Sequence, residues 1–126
     1  MKKQIVLFVA TGILFLFFQS FRPEPPSESV FPDEITTILK TSCYDCHYTG
    51  ASSEKALKAV NFADWEDYRL TKQIGLLGDM GKVVEEKKMP PGKYLENKPD
   101  AELSEAQIKL LADWTKQESE KLMQAD

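Results

Sequence analysis

Apolar side chains along this chain recur every three to four residues, and no segment alternates apolar with polar as a half-buried strand would. The first stripe, Ile35, Ile38 and Leu39, predicts a helix that starts at Pro32, carries Asp33 and Glu34 in its first turn and runs into Cys43. Tyr48 to Ser53 reads as a loop around Gly50, after which Ser52 or Ser53 caps a short helix from Glu54 to about Val60. Asn61 to Trp65 reads as a break and a new helix start, with Asp64 as its cap. Leu70, Ile74, Leu77 and Val84 share one face of a helix from about Tyr68 to Lys87. Gly75, Gly78 and Gly81 lie inside it, and a glycine costs a helix interior roughly 1 kcal/mol against alanine. They therefore mark either a close approach, by another helix or by a bound group, or a kink near Gly78. Met89-Pro90-Pro91-Gly92 ends that helix, and Lys93 to Leu103 is a loop with a turn at Pro99-Asp100. The last helix has the clearest start: Ser104 and Gln107 make a capping box, and Leu103 and Ile108 a hydrophobic staple. It runs to about Met123, with Ile108, Leu111, Ala112 and Thr115 on one edge of its face and Leu110 and Trp114 on the other. The fold class is all-α, with four or five helices.

The first thirty residues have a different character. Met1-Lys2-Lys3 is basic, Ile5 to Phe18 is an unbroken apolar run, and Gln19-Ser20 leads into a proline-rich stretch. This layout is that of a secretory signal peptide, with an apolar core short for a membrane span; an uncleaved anchor is the alternative, since Phe18 does not suit a small-residue cleavage site. Residues 1–20 are thus read as signal peptide or anchor, 21–31 as linker, and 32–126 as one domain that is exported to the periplasm, soluble or tethered. Twenty Asp and Glu stand against 16 Lys and Arg, and the net charge of −4 becomes −6 once Lys2 and Lys3 leave with the leader. No basic patch exists, so a nucleic-acid partner is excluded. A protein redox partner is expected, of unstated identity.

The chemistry concentrates at Cys43-Tyr44-Asp45-Cys46-His47, a C-x-x-C-H run that uses both cysteines and the single histidine of the 126 residues. This is the attachment signal for c-type haem. Two cysteines three apart on a helical turn present their sulfurs on one side, where they can add to the vinyl groups of one porphyrin, and the adjacent histidine can supply the proximal imidazole. Other readings are weaker. Zinc wants four ligands, and only three cysteine or histidine side chains exist. A thioredoxin-like redox pair would sit beside a βαβ pattern, which is not visible. A Cys43–Cys46 disulfide would close a very small, strained loop. Because a domain this size buries a modest core, folding is expected to be coupled to haem attachment.

With one histidine, the second axial ligand is methionine, another weak ligand, water or nothing. Met89 is preferred, because the two prolines after it hold the chain extended; Met80, in a helical register, is the alternative and reads more simply as core. His47 needs its other ring nitrogen held by a carbonyl or carboxylate. Trp65 and Tyr94 are candidates for the haem propionates, Phe62, Leu77 and Trp114 for core or haem wall, and Asp45 reads as simply exposed.

The Cys-Tyr-Asp-Cys-His run, Asn61-Phe62-Ala63-Asp64-Trp65, Glu86-Lys87-Lys88-Met89-Pro90-Pro91, Tyr94, and Leu103-Ser104-Glu105-Ala106-Gln107 leading to Ala112-Asp113-Trp114 together resemble the small exported haem-binding domain common in Bacteroidetes, which is similar to monohaem cytochromes c. The resemblance spans about Pro32 to Lys116. It implies a cytochrome c-like fold of four or five helices around one covalent haem, carried on Cys43 and Cys46, with His47 as proximal and Met89 as distal ligand. The chain departs from the family after the motif, where Tyr48 to Lys58 is short and lacks an aromatic Pro-Trp-Tyr stretch.

The functional expectation is an electron carrier rather than an enzyme. The competing class is a sensor or peroxide-reacting protein with an open iron position; a single motif placed early in the chain argues against it. A non-haem binding domain is the third class.

Overall fold

The structure, a computed structural model, describes residues 30–125. The leader expected at 1–20 and most of the linker fall outside the described residues. Among the described residues the protein is all-helical, and no helix is long and apolar enough to cross a membrane.

The described residues form six α-helices in order: α1 (Asp33–Ser42), α2 (Tyr44–His47), α3 (Glu54–Ala59), α4 (Leu70–Glu85), α5 (Gly92–Leu95) and α6 (Glu105–Gln124), with 3-10 turns at Phe62–Asp67 and Pro99–Ala101. The count exceeds the expected four or five because α2 and α5 are single turns, too short to show periodicity. The stretch from Lys93 to Leu103, expected as loop, contains the end of α5 and one of the 3-10 turns.

The frame is the pair α4 and α6, packed along each other. Leu77 and Leu111 are fully buried there, as is Leu39 of α1, and burial of such a side chain stabilises by roughly 1.5–3 kcal/mol. The helix α4 is continuous through Gly75 and Gly78, where a β-carbon would meet nothing within 4 Å. Gly81 is the close approach: a β-carbon there would lie 2.6 Å from Thr115 Oγ1 of α6. At its C-terminus α4 closes as a Schellman turn. Lys87 takes a left-handed φ of 53°, its N–H donates to the Val84 carbonyl, and the Lys88 N–H donates to the Val83 carbonyl. The α6 cap is as read: Ser104 Oγ accepts from the Gln107 N–H, and Gln107 Oε1 accepts from the Ser104 N–H.

An aromatic cluster joins this pair to the rest. Phe31, placed by the sequence reading at the end of the linker, is core: its ring lies 5.2 Å from Trp65, 5.7 Å from Trp114 and 6.0 Å from Phe62, each edge-on. The Thr36 hydroxyl donates to the Phe31 carbonyl and pins the entry to α1.

Candidate functional site

The Cys43–His47 segment turns as a single helical coil. Cys43 ends α1 and caps α2, and its carbonyl accepts from the Cys46 N–H at 3.1 Å and the His47 N–H at 3.0 Å. Both sulfurs are therefore carried on one turn. Both cysteines are free thiols and half-buried. Burial, and after it the neighbouring Cys46, pushes the Cys43 thiol up to about 12. Cys43 is thus a neutral thiol at neutral pH, not a thiolate poised for disulfide exchange. Among the described residues no group of three or more His, Cys, Asp and Glu side chains is arranged to hold a metal ion by itself.

The orientation of His47 follows from α3 and the residue after it. Ser53 caps α3 by accepting from the Ala56 N–H, and the helix ends at Val60 in extended backbone. That geometry converges two carbonyls, of Ala56 and Val60, on His47 Nδ1, each at 3.1 Å. A carbonyl can only accept, so Nδ1 carries the proton and Nε2 is the nitrogen with the free lone pair. Of the two kinds of partner expected, carbonyl or carboxylate, it is the carbonyl that is present, twice. Asn61 locks this corner. Its side chain accepts from the Ala63 N–H and donates to Thr49 Oγ1 and Asp64 Oδ2, while its N–H donates to the Tyr68 hydroxyl. Asn61, and not Asp64, is therefore the cap of the 3-10 turn; Asp64 is the partner of that cap.

The remaining predicted residues divide. Phe62 lies on the site, with its ring 6.3 Å from His47 and 5.6 Å from Tyr44, and it is buried. Trp65 and Leu77 are buried core, and Trp114 packs on Phe31. Met80 packs partly buried against the core, whereas Met89 is 37% exposed and outside it. Tyr94 does not wait free for a propionate: its hydroxyl donates to Asp45 Oδ2 at 2.8 Å, and the Lys98 ammonium reaches the same oxygen at 2.5 Å. Asp45, read as simply exposed, is the acceptor of both. Sequence reasoning missed this contact: the single-turn helices that carry Asp45 and Tyr94, and the turn that carries Lys98, gave no periodic signal.

The donor set suits a haem on chemical grounds: two free sulfurs on one turn and an imidazole whose Nε2 lone pair is left free by the tautomer. Two clefts lie elsewhere, one lined by Phe31, Trp65, Trp114 and Leu122, the other between α4 and α6.

Comparison with known proteins supports haem binding. A family model described as a haem-binding domain matches residues 50–117. The match takes in Asn61, Met89, Tyr94 and the α6 capping box but begins just after the C-x-x-C-H run, so motif and match are separate observations. No curated protein and no solved structure matches the chain. With more than half of its length matched, the chain belongs to the haem-binding domain family.

Proposed function

We propose that this protein is an exported electron carrier of the periplasm, soluble or tethered by its N-terminus, holding one covalent haem of the c type in a cytochrome c-like arrangement. Cys43 and Cys46 would carry the thioether links, His47 the proximal bond and Met89 the distal one. When bound, haem supplies a one-electron ferric–ferrous couple, and a methionine–histidine pair sets it at a raised potential.

The observation that carries the reading is the double carbonyl grip on His47 Nδ1. It fixes the ring about its own axis, assigns the proton to the inner nitrogen and makes Nε2 a stronger donor. A histidine held only by packing would need none of this. Phe62 against the ring keeps water from that side. The chain's part in electron transfer is to hold the ligands still, so that little reorganises between the two oxidation states. A second reading, an open iron position that binds small ligands, draws on the exposure of Met89.

The test is optical spectroscopy on protein made in a host that matures c-type haem. Expected are pigment that survives denaturing extraction, and a weak long-wavelength band in the ferric form that disappears in Met89→Ala and persists in Met80→Ala. Pigment that washes out would overturn covalent attachment. A high-spin ferrous spectrum that shifts with carbon monoxide would replace the carrier with the open-site reading.

A further inference from the structure

The contact at Asp45 joins parts of the chain far apart in sequence. Asp45 stands between the two cysteines of the motif, and its partners lie 49 and 53 residues further on. Tyr94 sits in α5 and Lys98 one turn beyond, where the Lys98 N–H donates to the Tyr94 carbonyl. One turn of chain therefore presents a phenol and an ammonium to a single carboxylate oxygen. The ammonium also lies 6.0 Å over the Tyr94 ring.

Consider what this does to Met89. On its N-terminal side the chain is fastened to α4: the N–H groups of Lys88 and Met89 both donate to the Val83 carbonyl. On its C-terminal side the Pro91 carbonyl accepts from the Tyr94 and Leu95 N–H groups, Pro90 is buried, and Tyr94 and Lys98 grip Asp45. Met89 is thus an exposed residue of a short span tied at one end to the frame and at the other to the motif itself. An isolated exposed ion pair would be worth little. Here a hydroxyl and an ammonium share one acceptor, and the tie closes a loop of about fifty residues.

We propose that Asp45, Tyr94 and Lys98 form a clasp that sets the distance between the Met89 segment and the Cys43–His47 turn, which makes them positioning residues for the distal ligand. The proposal rests on the methionine–histidine reading above. It assigns a role to Asp45, one of the two residues between the motif's cysteines that the attachment chemistry leaves free.

The test uses the full haem-loaded protein and its variants Tyr94→Phe, Lys98→Met and Asp45→Glu, with Lys109→Met, which breaks an exposed ion pair within α6, as the control. Two signals are followed: the ferric methionine band against far-ultraviolet circular dichroism through a urea titration, and hydrogen exchange at the Tyr94, Leu95 and Lys98 amides. In Tyr94→Phe and Lys98→Met the band should vanish at lower urea than in the parent, while the dichroism midpoint stays. Exchange at those amides should rise about tenfold, the loss of one charge-assisted hydrogen bond. Asp45→Glu should recover part of both. Band and exchange unchanged, as in Lys109→Met, would overturn the clasp. If the parent protein shows no methionine band, the ligand assignment fails, and exchange alone decides the clasp.

Discussion

Helices α4 and α6 meet through leucines, a valine and a glycine, whereas the Cys43–His47 turn adds directional polar contacts from loops and single-turn helices. The difference follows from what each must deliver. Apolar contact is non-directional and accumulates with area, which suits a frame. An imidazole that grips a metal, the role proposed for His47, has to be aimed, and hydrogen bonds with fixed angles do that. The frame therefore should stand by itself better than the site does.

Loss of the haem would separate the two regions most. In a Cys43→Ala, Cys46→Ala double variant, amide exchange around residues 44–61 should accelerate by about a hundredfold more than exchange at Leu77 and Leu111. Uniform acceleration across both regions would show that the frame depends on the haem as much as the site does. Next in size is Leu111→Ala, which removes a side chain with no exposed surface. It should cost about 2–5 kcal/mol in urea unfolding with little change in the absorption spectrum of the haem-loaded protein.

The glycines of α4 sharpen the comparison further. Gly81→Ala forces a β-carbon against Thr115 Oγ1, which is itself committed to the Ala112 carbonyl, and should cost about 1–3 kcal/mol. Gly78→Ala meets open space and should stabilise by up to about 1 kcal/mol. Equal effects at the two positions would mean that the helices do not approach as described.

How much of this was legible follows the same division. The α6 capping box and the apolar stripes of α1, α4 and α6 are local, so residues three or four apart declare them. The C-x-x-C-H run and the need of His47 for a carbonyl or carboxylate were legible because the chemistry dictates them. Which carbonyls, Ala56 and Val60, depends on where α3 ends. Asn61 and Asp64 are both good caps, and what selects Asn61 is its bond to Thr49, twelve residues back. Phe31 borders a proline-rich stretch, and only the distant rings of Trp65 and Trp114 make it core. The Asp45 clasp spans some fifty residues, and no pattern in either segment announces the other.

The smallest expected effect is the pH dependence of that clasp. The Lys98 ammonium first, and then the Tyr94 hydroxyl, hold the Asp45 carboxyl below its ordinary 3.8. A carboxyl whose folded value is depressed contributes stability above its unfolded value and loses it as pH falls through the folded one. Burial, followed by the bond to Asp45, raises the Tyr94 phenol above its ordinary 10.0, so its contribution is present below 10.0 and is lost as pH rises through the raised value. The clasp is thus whole between about pH 4 and 10 and opens at both ends. Because Asp45 is half in water, the acid-side effect is small. It should appear as a shallower fall below pH 4, for Asp45→Asn than for the parent, in the urea concentration at which the ferric methionine band is lost. Parallel curves would place the acid sensitivity elsewhere, and would leave the site tied to the frame through the His47 carbonyls and Asn61.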